Sequence, residues 1–184
     1  MTEPLTTHPG GRHTGVRRVP ALLTPLLAIG LVTASCTDEP LQPTGPLEAN
    51  ASIVHVIDGD TVIATFDGRE ETVRLIGIDT PETKKQNAPI ECYGPEATAH
   101  TASLLPKGTP VRIERDVEAR DDYGRLLGYV YRASDGVFVN LDLVATGHAT
   151  VLSIRPNTTF RDDFVDAARA AERANLGLWG ACPG

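Results

Sequence analysis

The sequence predicts an α+β fold around a small closed five-stranded barrel, on three observations. Short stretches that read as strands recur between residues 51 and 132. Turn pairs punctuate them, Asp67-Gly68 and Asp135-Gly136. Helical stretches fall only between the third and fourth strands and after the fifth, so helices and sheet are segregated.

Residues 37–50 are rich in proline and polar side chains and read as a tether. Order begins at 51. The first strand spans 52–57 and the second 61–66; Asp67-Gly68 then turns the chain into a third strand, 69–78. This hairpin brings the start of the second strand and the end of the third together, opposite its own turn. Asp60 and Asp79 can therefore meet although 19 positions separate them. A loop, 81–93, carries Lys84, Lys85 and Pro89. The first helix starts at Gly94-Pro95-Glu96, with proline at an early helical position, and sets Ala97, His100, Thr101, Leu104 and Leu105 on one face. Pro106-Lys107-Gly108 stops it. Strands follow at 110–116 and 124–132, with a polar loop at 118–122 between them. A short helix at 140–147 ends on Gly147. Thr159 and Asp162 form a variant capping box for the last helix, whose inner stripe is Phe160, Phe164, Ala167, Ala168 and Ala171. Residues 176–179 pack back on the body, with Trp179 as a core plug, and His55, His100 and His148 read as packing or surface groups rather than ligands. Strands and helices in this order suggest the Greek-key OB-fold barrel with about three helices.

The N-terminus reads as an export signal over residues 1–36. Arg17 and Arg18 precede an apolar run from Val19 to Ala34, and Cys36 follows. This resembles a bacterial lipoprotein signal, with lipid on Cys36 anchoring the protein to a membrane. It departs at Thr33, where such signals prefer a branched apolar residue. Ordinary cleavage near Ala34 would instead release a soluble secreted protein. With Cys36 lipidated, Cys92 and Cys182 remain as an even pair in an oxidising compartment. A bridge between them would tie the tail to the body; two free thiols are the alternative.

Charge constrains the partners. The chain of 184 residues carries a formal net charge of −7, and beyond residue 36 it holds 14 basic and 23 acidic groups, a net of −9. A long non-specific grip on a polyanion wants the opposite sign. Four carboxylates, Asp58, Asp60, Asp79 and Glu82, nevertheless gather around Arg74. A core has no use for them. A hard cation such as calcium does, since it takes oxygen ligands. Phosphoryl transfer wants such a cation beside a guanidinium, because charge builds on the equatorial oxygens.

Four motifs then fall in register: Ile57-Asp58-Gly59-Asp60-Thr61, Arg74-Leu75-Ile76-Gly77-Ile78-Asp79-Thr80-Pro81-Glu82-Thr83, Tyr93-Gly94-Pro95-Glu96-Ala97 and Asp122-Tyr123-Gly124-Arg125. Order and spacing resemble the staphylococcal nuclease family, the thermonucleases, over about residues 51–180, so that 51–184 would be one nuclease domain. The resemblance implies the OB-fold and calcium-dependent hydrolysis of DNA and RNA to 3′-phosphates. It implies that Asp60, Asp79 and the Thr80 carbonyl hold calcium, with Asp58 supporting them from behind. Glu82 would act on the attacking water, Arg74 and Arg125 would clamp the scissile phosphate, and Tyr123 would bond a phosphate. Lys84 and Lys85 would be weak phosphate contacts. Read alone, Arg125 could instead be a structural ion pair with Asp121 or Asp122. A monomer is the default.

Two departures bear on affinity. The family stacks the bound base on tyrosines just before the last helix, and here Leu152 and Ile154 stand in their place. A stacked base is worth about 1–3 kcal/mol. The loop after Glu82 is also poorer in lysine. A non-catalytic OB-type binding module is the competing reading; it would be expected to lose a catalytic position, and none of the five is lost.

Overall fold

The computed structural model describes residues 45–83 and 89–182. Cys36, the leader around it, Lys84 and Lys85 lie outside the described residues.

Five strands close a barrel in the order β1-β2-β3-β6-β5. β1 (Ala51–Asp58) and β2 (Thr61–Phe66) form a hairpin around Gly59-Asp60. β2 turns into β3 (Arg69–Leu75) through Asp67 and Gly68 at φ 50° and 75°, the positive values that a two-residue hairpin needs. β3 runs parallel to β6 (Leu126–Arg132), β6 pairs antiparallel with β5 (Pro110–Glu114), and β5 closes on β1. Side chains alternate along the strands, and Val62, Ala64, Val73, Leu75 and Val111 point inward at 0% exposure. The α+β class and the OB-type barrel are as the sequence predicts. β5 ends at Glu114 and β6 starts at Leu126, each two residues inside the predicted limit.

The third strand differs more. It stops at Leu75, and Gly77, at φ 83°, turns the chain out of the barrel. β4 (Gly77–Asp79) then pairs with β7 (Thr150–Leu152), a strand that the sequence did not announce. The cause is a close approach: a Cβ on Gly77 would lie 2.2 Å from the ring of Phe164. Asn140, fully buried, fills the seam that the departing strand opens. Its Oδ1 accepts from the Val130 N–H at 2.9 Å, and its Nδ2 donates to the Ile76 carbonyl at 2.9 Å.

Helix α1 (Gly94–Leu104) carries proline in its first turn, and Leu105 just beyond it is buried. α2 (Val139–Ala145) is followed by Gly147 at φ 73°. α3 (Arg161–Arg173) is the last long helix. The expected capping box does not form. The Thr159 N–H and hydroxyl donate instead to Asp116, at 3.1 and 3.0 Å. α4 (Leu178–Ala181) is a single turn; Trp179 within it is half-buried rather than a core plug. Cys92 and Cys182 form a disulfide. His100 and His148 stack at 4.0 Å beside Asp142, to which His100 Nε2 bonds at 2.7 Å.

Candidate active site

The turn between β1 and β2 is held so that Asp60 faces inward. The Asp60 N–H bonds Asp58 Oδ1 at 3.3 Å, and its carbonyl accepts from the Leu75 N–H at 2.8 Å. Behind the turn, Thr101 of α1 donates to the Gly59 carbonyl at 2.6 Å. A side chain at Gly59 would collide with Thr80, 2.6 Å away. Asp60 is only 5% exposed and fully engaged: Thr61 Oγ1 donates to Oδ1 at 3.0 Å, and the Thr80 N–H and hydroxyl donate to Oδ2 at 2.9 and 3.1 Å.

Arg74, near the end of β3, joins the two aspartates. Its Nη2 lies 3.1 Å from Asp60 Oδ2 and 2.9 Å from Asp79 Oδ1. Its Nη1 donates to the Leu75 carbonyl and, at 3.0 Å, to the Ile78 carbonyl. Asp60 and Asp79 thus converge on one nitrogen, as the hairpin argument required. The β4–β7 pair makes this possible: Asp79 sits opposite Thr150 in that register, at the point where the chain has left the barrel.

Glu82 follows β4 and is fixed through its main chain. Its N–H donates to Glu91 Oε2 at 3.0 Å, its carbonyl accepts from the Glu91 N–H at 3.0 Å, and its Oε1 accepts from the Thr83 N–H at 2.8 Å. Arg125 enters from the loop before β6. Its Nε bonds Asp121 Oδ2 at 2.7 Å, and Asp121 Oδ1 accepts from the Arg125 and Tyr123 N–H groups at 2.9 and 3.1 Å. Burial pushes the Asp121 carboxyl up, but these bonds outweigh it and hold the group below the usual carboxylate range. Arg125 is thus paired with Asp121, one of the two partners the sequence offered, and it also lines an open cleft.

Asp58, Asp60, Arg74, Asp79, Thr80, Glu82 and Arg125 line one open cleft of about 310 Å³, together with Glu91. A second, more apolar cleft of about 160 Å³ adjoins it and shares Arg74 and Arg125; Leu152 and Ile154 lie on its wall. Tyr123 lines neither cleft. It is 87% exposed, its ring 5.6 Å from the Arg125 guanidinium carbon.

Negative charge is in excess here. Burial, reinforced by the Asp60 charge, raises the Asp58 carboxyl above its ordinary value. Burial raises Asp79 as well; Arg74 opposes this, and the charges of Asp60, Glu91 and Glu82 add to it. The donors are all hard oxygens, which suits a divalent cation of the calcium type. Among the described residues no three His, Cys, Asp or Glu side chains form a ready-made cage. A cation here would rest on two carboxylates plus backbone oxygen and water.

Glu91 escaped the sequence reading. An acid in a polar loop carries no pattern; its only signal is its place beside Cys92.

Known proteins are similar in sequence. The staphylococcal nuclease homologue family matches residues 72–181. The thermonuclease of Staphylococcus hyicus is 35% identical over 157 residues, covering 84% of this chain and 89% of that protein. The thermonuclease of Staphylococcus intermedius is 42% identical over 127 residues, 69% of this chain and 74% of that protein. Endonuclease YncB of Bacillus subtilis strain 168 is 38% identical over 132 residues, 71% of this chain and 61% of that protein. With such relatives along most of its length, and a barrel of this kind beneath the cleft, the chain belongs to the staphylococcal nuclease family.

Proposed function

We propose that the chain is a calcium-dependent nuclease that hydrolyses phosphodiester bonds of DNA or RNA and leaves 3′-phosphate ends. The observation that supports it most is the single cleft in which Asp60, Asp79, Glu82, Arg74 and Arg125 meet. The relatives named thermonuclease and endonuclease point the same way.

Calcium, held by Asp60, Asp79 and the Thr80 carbonyl, would neutralise a phosphate oxygen and orient water. Glu82 takes a proton from the attacking water. Oxygen adds to phosphorus, the bond to the 5′ oxygen breaks, and that oxygen leaves as an alkoxide that takes a proton from solvent to become a hydroxyl. Arg74 and Arg125 hold the charge that builds on the phosphoryl oxygens; a planar guanidinium fork does this better than an ammonium. Tyr123, its ring 5.6 Å from the Arg125 guanidinium carbon, would bond a phosphate of the bound strand. Lys84 and Lys85, which follow Glu82 in sequence, would add weak phosphate contacts.

The direct test is single-stranded DNA with the purified protein, in calcium and then in EDTA. Cleavage should require calcium, and Glu82→Gln should lower kcat by about 10²–10⁴-fold. Calcium-independent cleavage, or no cleavage by the native protein, would count against this function.

Residues 1–36 are proposed to carry the export signal, with Cys36 either lipidated, which would anchor the enzyme at the membrane, or left unlipidated after ordinary cleavage near Ala34, which would release it. Mass spectrometry of the mature N-terminus decides between the two. The working form is proposed to be a monomer.

A further inference from the structure

The Cys92–Cys182 disulfide lies outside the chemistry described so far, yet Cys92 directly follows Glu91, which lines the cleft. The residue before it is Glu91, which holds both the N–H and the carbonyl of Glu82 at 3.0 Å. Just beyond the bridge, the Gly94 N–H donates back to the Glu91 carbonyl at 3.1 Å. Gly94 also packs tightly on the strip that carries Glu82: a Cβ there would lie 2.7 Å from Thr83 Cγ2 and 3.1 Å from the Glu82 carbonyl oxygen. The far end of the bridge is equally anchored. The Cys182 N–H bonds the Leu178 carbonyl at 3.0 Å, and the Leu178 N–H bonds the Gly147 carbonyl at 2.9 Å. Gly147 and Gly177 meet backbone to backbone, where a Cβ on either would lie 2.3 or 2.2 Å from a carbonyl oxygen. A small hollow lined by Asp79, Thr80, Pro81, Glu91, Cys92 and Cys182 separates the bridge from the cation ligands.

We propose that the Cys92–Cys182 bridge and Glu91 together form a redox-sensitive clamp that positions Glu82, and that reducing the bridge lowers turnover. The proposal rests on the reading of Glu82 as the group that acts on water. The reductant is a dithiol. Its thiolate attacks one protein sulfur, the S–S bond breaks, and the other cysteine leaves as a thiolate. The second thiol of the reagent then displaces the first cysteine and closes the reagent's own disulfide. Two electrons and two protons pass to the protein, giving two cysteine thiols. Glu91 then stays bonded to Glu82 but is no longer tied to the C-terminal turn. Glu91 is a positioning residue in this account, because it acts through Glu82.

The test compares the native oxidised protein, the same protein reduced with dithiothreitol and alkylated, Cys92→Ser/Cys182→Ser, Glu91→Ala and Glu91→Gln. Each is assayed for kcat, KM and the calcium concentration at half-maximal rate, and the Glu82 amide is followed by hydrogen exchange. Loss of the bridge should lower kcat by about 10–100-fold, the scale of a misplaced catalytic group, while KM and the calcium midpoint stay put. The Glu82 amide should exchange faster. Glu91→Ala should do the same in the oxidised protein, and Glu91→Gln, which keeps an acceptor oxygen, should recover much of the loss. Unchanged kcat and unchanged exchange without the bridge would overturn the clamp, as would a loss confined to KM or the calcium midpoint. If Glu82→Gln proves as active as the native protein, the reading of Glu82 fails instead, and the exchange data still decide whether the clamp exists. Should the double serine variant not fold, Glu91→Ala and the reduced native protein carry the same comparison.

Discussion

Arg74 sends four contacts from the two ends of one guanidinium, two to carboxylates and two to backbone carbonyls. Its side chain is 12% exposed and that of Asp60 is 8% exposed, so solvent screens this pair poorly. Removing the arginine leaves a buried carboxylate without its partner. In EDTA, Arg74→Ala should therefore lower unfolding free energy by about 3–5 kcal/mol, and saturating calcium should restore part of it, as urea titrations in the two conditions would show. Asp116 makes a pH prediction. Burial raises its carboxyl, but hydrogen bonds from the Thr159 N–H and hydroxyl, the Tyr129 hydroxyl and the Val117 N–H outweigh this and hold it below its ordinary 3.8. A depressed carboxyl stabilises the fold fully above that ordinary value, and the contribution fades as pH falls through the lower folded value. Thermal stability should fall on acidification below about pH 4, and Asp116→Asn should flatten that part of the profile. The aspartates, Glu82 and the arginines were legible because their residue types and spacing are unusual together. Glu91 was not, because one acid beside a cysteine looks like any polar loop.

Among the elements, the barrel strands were readable because inward residues alternate and Asp67-Gly68 announces its turn. The β4–β7 pair was not. Three residues are too few to show a period, and the two strands lie more than 70 positions apart, so only tertiary packing defines them. The same holds for Asn140, whose value depends on a seam absent from local sequence. The capping box failed for a related reason: a long-range carboxylate, Asp116, outcompeted the local one for Thr159. Gly77 is the weak point of this architecture, at a positive φ and against Phe164. Gly77→Ala should cost about 2–4 kcal/mol through backbone strain and overpacking, and it should lower kcat as well because Asp79 follows two residues later. Denaturant melts and a calcium-dependent rate assay on this variant check both.

At the scale of the molecule, the net of −9 beyond residue 36 sets how the enzyme meets its substrate. A protein that neutralises six to ten phosphates loses about 10³–10⁵ in affinity between 50 and 200 mM salt. Two guanidiniums and a few weak lysine contacts are proposed to counter the repulsion, far fewer than six to ten, so kcat/KM on long DNA should fall less than about tenfold over that range, as stopped assays at fixed calcium would measure. The absence of aromatic side chains at Leu152 and Ile154 works in the same direction, toward short contact with each target. The barrel has one pair of strands that run the same way, β3 and β6, and it sets Arg74 opposite Leu127, two residues after Arg125. Arg74 therefore rides on one of two adjoining rails whose offset is locked by hydrogen bonding, and Arg125 stands in the loop that leads into the other. Adapting this scaffold to a phosphoester of different width would have to come from the residue 118–125 loop and its Asp121 tether, since the rails themselves cannot slide without turning the core inside out.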